Sequence, residues 1–300
     1  MSLQDEFNHI LSSVPGTYGV SVKHMQTGEE AHINENEPFQ LASCFKIPVL
    51  VALFKEVHEG TVDLDTRIQL RPEHRRTGSG VLEALEPGVE ISLRDVATLM
   101  INMSDNVATD ILMDLLGTEN IDAYMNELGL KISVKRDVKD VIIHHLGRDP
   151  KEVSDEEFIQ LINEPQMSSG LRSNDIDQLE VFLPNYDNNT STPPEMTKLL
   201  EMIAKKQIIS EEACHEMIHI LATQKLRNRI PYLLPPETKV ACKTGNVGSV
   251  VNDAGIVYLP GNKGEFVITV FSRGNESDSE GNHTIAKLTK AAFDYFVKNC

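Results

Sequence analysis

Basic residues are in short supply in this chain. Lys and Arg number 28 against 45 Asp and Glu, a net charge of -17 over 300 residues. Such a surface repels phosphate backbones and anionic lipid headgroups, so neither nucleic acid nor a membrane is expected as a partner. No apolar run approaches the length of a membrane span. The opening residues MSLQDEFNHILSS have neither the basic start nor the apolar stretch of a secretion signal. As written the chain reads as cytoplasmic; it reads as secreted or periplasmic if a leader has been removed. Only four cysteines occur, Cys44, Cys214, Cys242 and Cys300, with no C-x-x-C pair. That scatter suits reduced thiols and argues against a disulfide framework or a zinc cluster. Tryptophan is absent and aromatics are few, yet 40% hydrophobic and 24% charged residues are ordinary for a globular protein.

What is present is periodicity. A short amphipathic helix near 3–13 leads to a strand-like TYGVSVKHM (17–25) and a second extended piece, AHINEN. Helical spacing then dominates: 43–57, 94–116, 118–128, 155–164, 193–206 and 210–221. Strand patterns return at 238–243, 249–259 and 265–273, with Gly261-Asn262 in the last turn, before a closing helix TIAKLTKAAFDYFVK. Strands at both ends and helices between them imply an α+β fold. The expectation is one antiparallel sheet built from 1–41 and 222–300 beside a helical domain over 42–221, with the site where the two meet.

CHEMIHIL (214–221) contains H-E-x-x-H, the spacing of a zinc protease helix. The apolar stripe Ala213, Met217, Ile220 and Leu221 turns His215, Glu216 and His219 toward solvent. A third ligand is also wanting, because Ala222 and Lys225 occupy the places of the extended motif. We read the match as accidental and expect no metal. His74 and the pair His144-His145 also lack ligand spacing and are expected in surface or loop roles.

Three other motifs stand in order: Ser43-Cys44-Phe45-Lys46 (S-x-x-K), Ser104-Asp105-Asn106 (S-D-N) and Lys243-Thr244-Gly245 (K-T-G). Ser43 is expected to open a helix, where the positive end of the dipole stabilises a developing alkoxide. Lys46, one turn on, lies on the same face among Phe45, Ile47, Val49 and Leu50, and a lysine sheltered from water can act as a neutral base. Ser104 and Asn106 can face one cleft only from a loop between helices, which leaves Asp105 to cap the second. On a strand, Lys243 and Gly245 share a face. The missing side chain at Gly245 would let a substrate backbone lie along the strand edge. Cys44 and Cys242 are expected to be packing thiols.

With this trio, and with YGVSVKHMQTGEEAHINENEPFQLASCFKIPVL, VATLMINMSDNVATDILM, NTSTPPEMTKLL and LPPETKVACKTG around it, the chain resembles the class A β-lactamases of the penicillin-recognising serine hydrolases. The likeness runs nearly its whole length. It implies a five-stranded sheet domain beside a helical domain and a cofactor-free enzyme. Ser43 would attack a carbonyl to give an acyl-enzyme, Lys46 would take its proton, and Ser104 would relay a proton to the leaving nitrogen. Asn106 would hold Lys46 and the substrate amide. Lys243 and Thr244 would bind the substrate carboxylate, and the main-chain N–H groups of Ser43 and Asn246 would form the oxyanion hole.

Two departures stand out. The family's deacylating glutamate, in an E-x-x-x-N context, should lie near RDVKDVIIHH (136–145), where counting from Gly129 arrives at Lys139 or Asp140. Asp140 is a substitute with a shorter arm, or else an ordinary loop carboxylate. The Ω-loop region, 137–192, is long; its segment 141–187 carries a helical stretch and has the length of a lid. After K-T-G, the strand that carries an arginine in many members reads VVNDAG. There Asp253 would repel a carboxylate if it faced the groove, and Arg229 resembles the replacement that some members use. The functions expected are a hydrolase of β-lactam amides, an esterase or peptidase of the same fold with a different small-molecule substrate, or a penicillin-binding protein that acylates without turnover. The oligomeric state is left open.

Overall fold

Both ends of the chain supply one sheet. The computed structural model describes residues 2–163, 177, 179–185 and 187–300. Helix α1 (Leu3–Leu11) starts at a capping box between Ser2 and Asp5. Strands β1 (Thr17–His24) and β2 (Glu30–Ile33) follow as an antiparallel pair. The middle of the chain runs β3 (Phe39–Gln40), α2 (Lys46–Glu59), β4 (Arg67–Gln69), β5 (Glu90–Ser92), α3 (Leu93–Asn102), α4 (Asn106–Leu116), α5 (Thr118–Glu127), β6 (Ile132–Ser133), α6 (Val138–His145), α7 (Asp155–Ile162), β7 (Thr190–Ser191), α8 (Pro193–Ala204) and α9 (Glu211–Ala222). The end of the chain adds β8 (Val240–Val247), β9 (Val250–Tyr258), β10 (Glu265–Arg273) and α10 (Asp278–Asn299).

The five long strands are ordered β2-β1-β10-β9-β8, each pair antiparallel, so β8 is an edge. The fold is α+β. Strands β9 and β10 are buried on both faces because a helical layer covers each. On one face Val251, Val257, Phe266 and Ile268 pack with Phe7 of α1 and with Ile285, Leu288 and Phe296 of α10. On the other, Ala254, Ile256, Val267 and Phe271 join the large core of the helical segment, with Leu41, Ile47, Leu50 and Met196. The strand β8 therefore has a helix-facing side and a free edge, which is what positions the K-T-G motif.

Four details differ from the sequence reading. The helix expected from 43 begins at Lys46, preceded by a 3₁₀ turn over Ala42–Phe45. Helix α10 starts at Asp278, well before the apolar periodicity at Thr284, because Ser277 caps the Glu280 N–H. Helix α6 forms in the region read as an Ω-loop. Asp137 caps it through the Asp140 N–H, and the Val138 and Lys139 N–H groups donate to Asp110. Finally, β3, β6 and β7 form a small sheet and β4 and β5 another, each too short to leave a periodic signal. Helix α7 lies where 155–164 predicted it. Residues 164–176, 178 and 186 lie outside the described residues, and the lid expected of 141–187 falls partly there. No helix among the described residues is long and apolar enough to cross a membrane.

Helix α9 carries the H-E-x-x-H match. Its Ala213, Met217, Ile220 and Leu221 are buried, His215 and His219 are exposed, and Glu216 pairs with Arg94. The three polar side chains thus sit on the solvated side of the helix.

Candidate active site

Ser43 is partly exposed on the 3₁₀ turn ahead of α2, and Ala42 before it adopts a left-handed φ of 43°. Side chains from elsewhere hold this unusual backbone. Asn252 Nδ2, from β9, donates to the carbonyls of Gln40 (2.8 Å) and Leu41 (3.1 Å), and the Gln40 amide oxygen accepts the Ala42 N–H. Cys44 Sγ donates to the Lys243 carbonyl at 3.1 Å, and burial pushes its thiol up to about 12, so it packs as an inert thiol. Cys242 lies in the core on the α10 side of the sheet.

Gly245 explains the fit of turn to strand. A Cβ at this residue would lie 2.8 Å from Leu41 O, 2.9 Å from Ser43 N and 3.0 Å from Cys44 N. The absent side chain therefore makes room for the turn that carries Ser43, which corrects the expectation that the space served a substrate backbone.

Lys46 is fully buried, and its Nζ lies within hydrogen-bond distance of Ser104 O (2.7 Å), Ser104 Oγ (3.2 Å) and Asn106 Oδ1 (3.0 Å). Ser104 reaches this position from the short break between α3 and α4, where it takes a left-handed φ of 56°. Asp105 fixes the break from behind, accepting the N–H groups of Ala108, Val81 and Leu82. Lys243, also fully buried, donates to Ser104 Oγ at 3.0 Å and to Thr244 O at 2.7 Å. One hydroxyl thus sits between two lysines from distant parts of the chain.

Burial lowers the proton affinity of Lys46 far below an ordinary lysine, and the neighbouring Lys243 adds to the effect. Lys243 is pulled down to about 8, chiefly by burial. No hydrogen bond joins Lys46 to the Ser43 hydroxyl among the described residues. The polar contacts of Lys46 are with the S-D-N loop, a sharing that the S-x-x-K spacing does not reveal.

At the far end of β8, Thr244 is buried and paired in register with Asp253, and Asn246 is exposed. Asp253 is fully buried and does not face the groove; it accepts the Ile230 N–H at 3.1 Å, and burial raises its carboxyl to about 6. Arg229 is neither a surface charge nor a fork offered to solvent. It is 4% exposed and donates to Asn282 Oδ1 (2.6 Å), Gly245 O (3.0 Å), Asn252 O (2.6 Å) and Asn246 Oδ1.

Asp140 stands apart from this cluster. It lies in the first turn of α6, its N–H donating to Asp137, and its carboxyl is raised by burial. Among the described residues it makes no hydrogen bond with Ser43, Lys46 or Asn106. Its charged neighbours are Arg136, Asp110, His144 and Lys139. Lys139, the other position considered, pairs with Asp155. His144 contacts Arg136 and His74 contacts Arg71; among the described residues neither joins a ligand cluster.

Several residues that shape the site escaped the sequence reading. Ser79 donates to Ser104 O at 2.7 Å, the carbonyl that Lys46 also uses, and Asn106 Nδ2 donates to Thr77 O at 2.8 Å. Arg76 pairs with the buried Asp110 at 2.5 Å. The glycines flanking Ser79 were a usable signal, since Gly78 and Gly80 have φ of 105° and 129° and a Cβ at Gly80 would strike Asp105. Asp110, a lone acid in the apolar run NVATDILM, was another.

Comparison with known proteins gives one consistent picture. The family described as beta-lactamase enzyme family matches residues 2–296. Beta-lactamase VEB-1 of Pseudomonas aeruginosa is 23% identical over 97% of this chain and 89% of its own length. The imipenem-hydrolyzing beta-lactamase of Enterobacter cloacae is 24% identical over 97% and 88%. Among solved structures, a beta-lactamase from Sphaerobacter thermophilus superposes with a TM-score of 0.78 at 26% identity, covering 98% of this chain and 96% of that one. PBP-A superposes with a TM-score of 0.76 at 26% identity, covering 99% and 96%. A mutant of PBP-A in an acyl-enzyme complex with penicillin G gives 0.77 at the same identity and coverage.

Proposed function

The chain belongs to the beta-lactamase enzyme family, and from that premise we propose that it opens β-lactam amides through an acyl-enzyme on Ser43. Ser43 Oγ bonds to the carbonyl carbon while its proton passes to the neutral amine of Lys46. The carbonyl electron pair moves onto oxygen, facing the main-chain N–H groups of Ser43 and Asn246. As the C–N bond breaks, the leaving nitrogen takes a proton that Lys46 returns through the Ser104 hydroxyl. Lys243 and Thr244 hold the substrate carboxylate, and Asn106 keeps Lys46 in place. The observation that carries this reading is the position of Ser104 Oγ, 3.2 Å from Lys46 and 3.0 Å from Lys243. A hydroxyl shared by two lysines, both with weakened hold on their protons, is suited to proton relay.

A second reading concerns the fate of the acyl group. Asp140 has no bond to the nucleophile cluster, which favours a penicillin-binding protein that acylates readily and deacylates slowly. Time-resolved intact mass with penicillin G tests both readings. A mass increase on Ser43, absent from Ser43→Ala, is expected, and its persistence over hours supports slow deacylation. Rapid return to the unmodified mass removes the second reading; no increase at any time removes the first.

A further inference from the structure

Arg229 invites reading as a substrate-carboxylate ligand, but its surroundings say otherwise. Four of its five N–H groups are spent on protein acceptors, and the side chain is almost wholly buried. One acceptor is the carbonyl of Gly245, at 3.0 Å from Nη1. That carbonyl and the Asn246 N–H belong to the same peptide group. In a trans peptide the two point in opposite directions. The Gly245 carbonyl turns toward Arg229, which also bonds Asn252 O on the neighbouring strand β9. The Asn246 N–H therefore points out from the free edge of β8, the edge against the nucleophile turn, where a Cβ at Gly245 would lie 2.9 Å from Ser43 N.

We infer that Arg229 is a positioning residue that polarises the Gly245–Asn246 peptide and so strengthens the Asn246 N–H as an oxyanion donor. A charged donor on a carbonyl draws electron density along the amide and leaves its N–H more positive. The effect is large where water is excluded, and Arg229 is buried. Two contacts of the Asn246 side chain help to set the orientation of this peptide. Asn246 Oδ1 accepts from Nη2, while Asn246 Nδ2 donates to Asp278 Oδ1 at 3.0 Å, tying the residue to the start of α10. The guanidinium acts through a peptide bond rather than by touching the substrate.

This rests on the acyl-transfer reading, and the test separates the two. Acylation of the full chain is followed by intact mass with penicillin G and with its methyl ester, which lacks the carboxylate. In Arg229→Gln the acylation rate constant is expected to fall about tenfold with both compounds, less than deletion of an oxyanion donor costs. Arg229→Lys, which keeps a charged donor, recovers part of the loss. The Asn246 amide proton in the ligand-free protein, read by NMR, moves upfield in Arg229→Gln and less in Arg229→Lys. If the glutamine variant does not fold, the lysine variant and its amide shift carry the test. A loss confined to the free acid overturns the inference, as does an Asn246 resonance that stays put. Absence of any Ser43 adduct in the unmodified chain takes down the acyl-transfer reading and this inference together.

Discussion

Two walls around the turn that carries Ser43, one of them reaching it through Val141 of α6 beside Ala42, differ in how completely they are built. On one, residues 42–46, 104–106 and 243–246 are held by mutual hydrogen bonds, with Lys46 and Lys243 fully buried around Ser104. On the other, the acids around the start of α6 serve that helix's architecture. Asp110 binds the first N–H groups of α6 and Arg76, and Asp137 caps the helix. The contrast teaches that an acid in the neighbourhood of Ser43 is not free for chemistry by position alone. Around α6 the acids are spent on holding the start of the helix and, for Asp110 of α4, on Arg76, whereas the lysines of the first wall share one hydroxyl partner.

The comparison breaks most visibly at the nucleophile. Ser43→Ala should lower acylation by at least about 10³-fold, read as loss of the mass adduct; an adduct of undiminished yield would move the nucleophile elsewhere. Gly245→Ala comes next, because its Cβ would lie 2.8 Å from Leu41 O and 2.9 Å from Ser43 N. Displacing the turn by a fraction of an ångström should cost about 10²-fold in acylation rate and lower the melting temperature by a few degrees. Wild-type acylation rates would show that the turn yields.

A smaller effect concerns pH. Lys243 is a cation below about 8 and neutral above it, so recognition of the penicillin carboxylate should weaken as pH rises through that value. By pH 9 the loss should be about tenfold for the acid and absent for its methyl ester; parallel profiles would remove the carboxylate from Lys243's role.

The second wall is sharpened by stability. Burial and the nearby Asp110 raise Asp137 to about 8, above its unfolded value, so its contribution is present at acid pH and is lost as pH rises toward 8. Asp137→Asn keeps the cap and should raise the melting temperature by a few degrees at pH 8.5 but not at pH 4. Equal gains at both would mean the carboxyl is not protonated in the fold. The smallest change is expected from Asp140→Asn, under about threefold in deacylation; a larger loss would return Asp140 to catalysis.

Much of this was legible in the sequence. The capping role of Asp105 followed from the need to place Ser104 and Asn106 in one loop, and the burial of Lys46 from its apolar neighbours. Helices α8 and α9 and the strands β8 to β10 followed from periodicity. Arg229 was legible as a candidate but not as a buried brace, since burial of a charge depends on carbonyls supplied by two strands. Helix α6 was missed because its start is stabilised by Asp110, a residue on another helix. The turn at Ser43 was misread as a helix because Asn252, which holds the carbonyls ahead of it, lies on the distant strand β9.

Side-chain period and residue type, which act over one or two turns of chain, were enough to specify most of the long elements, their order and the three motifs proposed to carry the chemistry. The sharing of Ser104 between two lysines, the fit of Gly245 against the Ser43 turn and the isolation of Asp140 were decided only by tertiary structure. Each depends on which groups burial brings within hydrogen-bond distance, and on which acceptors remain once the backbone has taken its share.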